Sequence, residues 1–173
     1  MISTHWAGCA NSNFRAGRPA GFKPEAIVIH IAEGSLASVD AWFNNTAAVV
    51  SAHYCVGKNG DVHQYVKEGD TAYHAGGPIR PSWKLIKPQV NPNFYTIGIE
   101  HEGHAADDWP EVQCAASAQL VAEIAARWNI PLNADHIVMH REIRAAKTCP
   151  GEKFDRVKLL ADAKAYGAAI LVS

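Results

Sequence analysis

Near its C-terminal end the chain reads "HIVMHREIRAAKTCPGEKFD". Within it, an imidazole (His140), an amine (Lys147) and a thiol (Cys149) stand close together before a Pro-Gly turn. A catalytic zinc ion takes three nitrogen or sulfur ligands and leaves a fourth position for water. Imidazole and thiolate both suit its borderline softness. His30 in "EAIVIHI" is a second imidazole on a rigid element, so His30, His140 and Cys149 make a candidate donor set for Zn2+. Pro150 and Gly151 supply the turn that returns the sulfur toward the strand ends. His136 and His140 lie four apart, as in a helical HExxH zinc motif, but Ile137 replaces the glutamate and the segment reads as extended. Nine histidines make chance spacing easy, so spacing alone leaves an ordinary structural reading open.

A carboxylate beside such a group would serve as general acid and base. "GIEHEG" offers two, because alternation along a strand puts Glu100 and Glu102 on one face and His101 on the other. Either is a candidate base, or a partner that orients a ligand histidine. His74 is followed by Gly76 and Gly77, which let a ligand approach the backbone closely, so His74 and Gly76 are candidate substrate contacts. Trp83, in a Pro/Lys-rich stretch over 76–94, is a candidate sugar-stacking platform or else a local packing anchor. His53 is expected to pack or hydrogen-bond beneath the metal site.

The elements that must position these groups are legible in outline. "EAIVIHI" is a buried strand, with Ile27, Ile29 and Ile31 on one face and Val28 and His30 on the other. "EGSLASVDAWFNN" predicts a helix capped by Ser35, with Leu36, Val39, Trp42 and Phe43 as its apolar stripe. "SAHYCVGKNGDVHQYV" predicts a hairpin turning at Asn59-Gly60. "YTIGIEHEG" and "HIVMH" read as strands. "DDWPEVQCAASAQLVAEIAARWN" predicts a helix capped by Asp108, and "FDRVKLLADAKAYGAAILV" a closing amphipathic helix. The order βαβββαβα predicts an α/β fold: a mixed central β-sheet flanked by α-helices, in a single domain over 1–173. Residues 1–24 are expected to form an irregular lead-in around the core.

Bulk properties narrow the function classes. A net charge of −1 with interspersed acids and bases does not suit neutralising a phosphate backbone, so no nucleic-acid partner is expected. The start lacks an apolar signal region, and no stretch is long enough to span a membrane. The expectation is a monomer made in the cytoplasm, without membrane insertion. The four cysteines lack CxxC spacing; Cys55 and Cys114 are expected to be buried apolar residues.

The stretches "NFRAGRPAGFKPEAIVIHIAEGS", "VVSAHYCVGKNGDVHQYVKEGDTAYHAGG", "YTIGIEHEGH" and "HIVMHREIRAAKTCPGEKFD" together resemble the zinc-dependent N-acetylmuramoyl-L-alanine amidases of the type-2 amidase family. That family includes phage lysozyme-like enzymes, autolysins and muropeptide-recycling amidases, and is related to peptidoglycan recognition proteins. The resemblance implies zinc held by His30, His140 and Cys149, Glu100 as the catalytic carboxylate, and Lys147 beside the substrate carbonyl. It implies hydrolysis of the amide between the lactyl group of N-acetylmuramic acid and L-alanine in peptidoglycan. Ala52 stands where the phage branch has a catalytic tyrosine, which leaves the acid/base task to Glu100, and Tyr73 stands in place of the usual tryptophan before "HAG". The expected role is that of an endolysin or autolysin, acting on the wall after release through a holin-type lesion and lacking a separate wall-binding domain. The alternatives are a cytosolic amidase that recycles muropeptides and a non-hydrolytic peptidoglycan-binding module, against which the presence of Cys149 and Lys147 weighs.

Overall fold

The computed structural model describes residues 1–19 and 21–170. Its strands are β1 (His5–Trp6), β2 (Phe14–Arg15), β3 (Ala26–Ile29), β4 (Tyr54–Val56), β5 (Val62–Gln64), β6 (Thr71–Ala72), β7 (Thr96–His101) and β8 (Ile137–Met139). Its α-helices are α1 (Leu36–Asn44), α2 (Glu111–Trp128), the single turn α3 (His140–Ile143) and α4 (Arg156–Ile170). Six strands form one mixed sheet in the order β1-β5-β4-β7-β3-β8, and β2 pairs with β6 separately. Only the β4–β5 hairpin is antiparallel within the larger sheet. This is the mixed sheet with flanking helices that the order of elements predicts.

The alternation of "EAIVIHI" decides what each face meets. Ile27 and Ile29 pack with Ile97, Ile99 and Ile137 against α2 and α4, through Leu120, Ile124 and Leu159. Ala26 and Val28 face the other way, onto Ala75, Trp83, Tyr95 and Ile143. Farther along that second face, Val39 and Phe43 of α1 cover Cys55, Tyr65 and Ala72. Full burial of such aliphatic side chains stabilises by roughly 1.5–3 kcal/mol each. β3 and β8 are apolar on both faces because helices or loops cover both sides, as parallel strands require, whereas β7 turns Thr96 and Glu100 to the second face.

Several local expectations change. Trp42 is 53% exposed and leaves the α1 stripe to Leu36, Val39 and Phe43. Ser35 caps α1 as read, its side chain accepting from the Ser38 N–H. Asp108 does not cap α2; Pro110 is the N-cap, and Asp108 pairs with Lys153 at 2.8 Å. With Pro110 at the N-cap, Asp108 stands two positions before it, and a residue preceding proline is disfavoured in helical conformation. In the hairpin turn only Gly60 has positive φ, while Asn59 accepts from the Asp61 N–H. Cys55 is buried but Cys114 is only partly so, and all four cysteines are free thiols. The lead-in contributes two short strands, β1 and β2, rather than none. In the predicted closing helix, Leu171 and Val172 lie outside the described residues.

Two partly buried ionic groups tie the layers together. Arg18 donates to the carbonyls of Glu68, Asn93, Phe94 and Thr96, at 2.9–3.2 Å. Burial lowers its pKa to about 10, against the pull of Asp70 and Glu68, so it stays charged at neutral pH. Glu68 receives Tyr54 Oη–H at 2.8 Å, Arg127 Nη2–H at 2.6 Å and Trp128 Nε1–H at 2.6 Å, joining β4 to the end of α2.

Burial alone would raise the pKa of Glu68, but hydrogen bonds from Arg127, Trp128 and Tyr54 outweigh it and hold the carboxyl below its ordinary 4.5. Because the folded-state pKa is depressed, this stabilisation is complete above pH 4.5 and is lost as pH falls through the lower folded value. Glu68→Gln is expected to cost on the order of 1–3 kcal/mol at pH 7. Urea titrations should show the gap from wild type narrowing below pH 4.5; a gap unchanged at that end would mean the carboxylate charge contributes nothing.

Candidate metal centre

Register places the candidate groups. Ile29 pairs with both Ile99 and Met139, so His30, Glu100 and His140 follow in one row at the carboxyl ends of three adjacent parallel strands. Adjacent strands lie about 4.8 Å apart, within side-chain reach of a common point. His30 continues the ladder by donating its N–H to Ile99 O at 2.9 Å, and its own carbonyl accepts from His101 Nδ1 at 2.9 Å. His140 is the first residue of α3 rather than the last of the strand.

Cys149 comes back to this row on a loop. Its carbonyl accepts from Arg141 N–H at 3.1 Å, and Arg141 Nη1 donates to Gly151 O at 2.8 Å. Gly151 has φ +100°, and a Cβ there would overlap the Ala105 backbone, so this return needs a glycine. The sulfur accepts the Ile31 N–H at 3.1 Å.

One donor atom each from His30, His140 and Cys149 lies within 4.8 Å of the others, and all three residues are buried. His30 Nδ1 and His140 Nδ1 are 3.0 Å apart. Ligand atoms around tetrahedral zinc, at its usual bond lengths, are roughly 3.3–3.6 Å apart. His140 Nε2 faces Ala75 O at 3.1 Å, and a carbonyl only accepts, so Nε2 carries the proton and Nδ1 presents a lone pair to the centre. A carbonyl accepting from the distal nitrogen is the usual support of a metal-bound imidazole. Donor types, separations and this tautomer fit a zinc ion.

Electrostatics agree with that fit. Burial holds His30 well below the ordinary histidine value, helped by His140, His74, His101 and Lys147. Burial likewise lowers His140 to about 4, with Lys147 and Arg144 acting in the same direction against the Ala75 hydrogen bond. It raises the Cys149 thiol far above its usual range, with Glu100 adding to the effect. It pushes Glu100 up to about 8 against the attraction of Lys147. Glu100 Oε1 is 4.0 Å from His30 Nδ1, while its buried Oε2 has no hydrogen-bond partner among the described residues. A site that disfavours its own anions in this way gains most from a divalent cation.

The groove over this centre encloses about 960 Å³. Lys147, exposed on the loop before Cys149, lines it with Glu100, His74, Tyr73 and Trp42. Glu102 turns away, its Oε2 accepting the Lys58 N–H at 2.7 Å. His53 is fully buried beneath, accepting the Gly98 N–H on Nδ1 at 3.0 Å. Ala52 is fully buried and brings no titratable group.

Two expected substrate contacts are corrected. Trp83 is only 4% exposed; its indole N–H donates to Asp135 O at 2.7 Å and its ring stacks on Tyr95. It anchors the 76–94 segment and cannot stack a sugar. Gly76, at φ +64°, makes room for the Arg144 guanidinium and does not line the groove. The sequence reading missed Trp42 as a rim residue because helical periodicity assigned it to the buried stripe. It also missed Thr96 and the bond from His101 to the His30 carbonyl, which depend on pairing between distant strands.

Residues 20–152 match the family described as N-acetylmuramoyl-L-alanine amidase. The chain is 34% identical over 160 residues to N-acetylmuramoyl-L-alanine amidase A of Achromobacter lyticus, across 91% of this chain and 73% of that protein. It is 31% identical over 116 residues to the 1,6-anhydro-N-acetylmuramyl-L-alanine amidase AmpD of Haemophilus influenzae, across 66% of this chain and 59% of that one. A solved selenomethionine derivative of AmpD shares the fold, with a TM-score of 0.78 over 94% of this chain and 95% of that chain, at 24% identity.

Trp83→Ala is expected to lower stability by about 3–5 kcal/mol without changing KM, whereas Trp42→Ala should raise KM with little change in thermal midpoint. Melting curves paired with steady-state kinetics check both, and a KM effect confined to Trp83 would reverse the assignment.

Proposed function

The chain belongs to the N-acetylmuramoyl-L-alanine amidase family, and on that premise we propose that it hydrolyses the amide between the lactyl group of N-acetylmuramic acid and the L-alanine of a peptidoglycan stem. The observation that carries this reading is the convergence of His30, His140 and Cys149 beside the unpaired carboxylate oxygen of Glu100. His30 and His140 would hold zinc through imidazole nitrogen and Cys149 through sulfur. When bound, zinc supplies Lewis acidity, which polarises a carbonyl and makes water acidic enough to attack near neutral pH.

The chain's own residues do the rest. Glu100 takes a proton from the attacking water and returns it to the departing L-alanine amine, a task worth about 10²–10⁴-fold. Its free Oε2 has no competing donor to release first. Lys147 brings a positive charge to the carbonyl oxygen as that oxygen becomes negative. The Trp42 and Tyr73 side of the groove gives the saccharide or stem peptide an apolar surface.

The preferred substrate is intact wall, with an endolysin or autolysin role, supported by the likeness of "NFRAGRPAGFKP" to the lytic branch. A second reading, cleavage of soluble anhydro-muropeptides, is favoured by the 31% identity to an enzyme named for that substrate. Mass analysis of products from purified sacculi and from anhydro-muropeptides, offered side by side, separates the two. Release of intact stem peptides from neither would overturn both.

Exhaustive chelation should abolish turnover, and stoichiometric zinc should restore it; full activity in metal-free protein would remove zinc from the account. Glu100→Gln should retain zinc while kcat falls about 10²–10⁴-fold, and Lys147→Ala should also keep zinc and lose turnover. Glu102→Gln should remain near wild type, so a loss there with Glu100→Gln intact would transfer the base to Glu102.

A further inference from the structure

A chain of hydrogen bonds leads away from the metal-facing histidine into the protein. His30 Nε2 is 3.0 Å from His74 Nδ1. His74 Nε2 is 3.1 Å from the Thr96 hydroxyl. That hydroxyl donates to Pro92 O at 2.8 Å. The nitrogens of both rings meet only imidazole and hydroxyl partners within hydrogen-bond distance and no carboxylate, the nearest being Glu100 Oε1 at 4.0 Å, so each ring is a neutral imidazole with one proton. The whole chain can therefore run in only two directions, and the hydroxyl's single proton decides which.

With the hydroxyl on Pro92 O, Thr96 accepts from His74 Nε2–H, and His74 Nδ1 accepts from His30 Nε2–H. His30 Nδ1 then presents a bare lone pair toward His140 Nδ1, which is itself bare because Nε2 donates to Ala75 O. Two lone pairs 3.0 Å apart suit a shared cation and cannot bond each other. With the hydroxyl turned to His74, every proton sits one position further along, and His30 Nδ1–H points at His140. That blocks the donor the ion needs.

Resting on the zinc reading above, we propose that His74 and Thr96 are positioning residues which hold His30 in the metal-binding tautomer, with the Pro92 carbonyl as the terminus that sets the direction. The shorter contact from the hydroxyl is the one to that carbonyl. The seat is built for a ring: a Cβ at Gly98 would overlap the His74 imidazole, so glycine in the middle of β7 is what lets His74 lie across the strand. Asn93 Oδ1 accepts the backbone N–H groups of His74 and Ala75 at 3.2 and 2.8 Å, which fixes the segment from which the ring projects.

The test uses the zinc-loaded full chain, with side-chain nitrogen NMR on labelled histidine and zinc affinity from chelator competition. The expected spectrum has the His74 proton on Nε2. Thr96→Val leaves that buried N–H without an acceptor and should weaken zinc binding about 10-fold, the scale of lost support behind a metal ligand. Thr96→Ser keeps the hydroxyl and should stay within about twofold of wild type, which separates a hydrogen-bonding role from mere packing. A His74 proton on Nδ1, or Thr96→Val binding zinc as tightly as wild type while folded, overturns the relay and leaves the metal site standing. Failure of the wild type to bind zinc overturns both.

Discussion

The in-register parallel pairing of β7 and β8 on either side of β3 is the constraint on which the site depends. It brings residues from positions 30, 100 and 140 into one row although 70 and 110 residues of chain separate them from the first. A slip of one residue in either pairing would turn a side chain to the opposite face. The hydrophobic alternation that buries Ile27, Ile29, Ile97 and Ile137 therefore does more than build a core. It fixes which face His30 meets, and the candidate metal donors inherit their accuracy from aliphatic packing. Only Cys149 reaches the centre by a loop, and Arg141 holds that loop at Cys149 and Gly151.

The same burial that makes the row rigid makes it electrically uncomfortable. Imidazoles are held neutral, a thiol resists losing its proton, and one carboxylate oxygen finds no donor. In an ordinary core such groups would be replaced by apolar ones of similar size, because unsatisfied buried polar atoms are costly. Their concentration at one end of a groove sets this row apart from the rest of the core. Away from the row, by contrast, the partly buried Arg18 and Glu68 have most of their hydrogen-bonding positions filled.

How much of this was legible follows from the range of the interactions. Strand β3, helix α1 with its Ser35 cap, the β4–β5 hairpin and the mixed sheet are set by local periodicity and turn residues, and the sequence displays them. The three candidate metal donors are nominated by residue type and by likeness to a family, and the fold brings them together. Glu100 and Glu102 share a face on paper. Their difference appears only when the hairpin turn supplies the Lys58 N–H that draws Glu102 aside. Trp42 leaves its expected place in the buried stripe, and Trp83 takes the packing reading of the two open to it, for a related reason: burial depends on what distant chain segments cover, and periodicity within one segment does not carry that information.

The Arg18 guanidinium sets a practical limit on how this catalytic unit is cut out for expression. The stretch that matches the family description begins at residue 20, two positions after it, although the likeness to amidase A of Achromobacter lyticus extends over 91% of the chain. A fragment trimmed to that boundary would keep every donor atom and every residue of the groove wall yet discard the cation that clasps the Glu68, Phe94 and Thr96 carbonyls. Those oxygens would be left facing a void at the floor of β7, the strand that carries Glu100. A boundary drawn from the 20–152 match alone would leave out the fastening under the strand that carries Glu100.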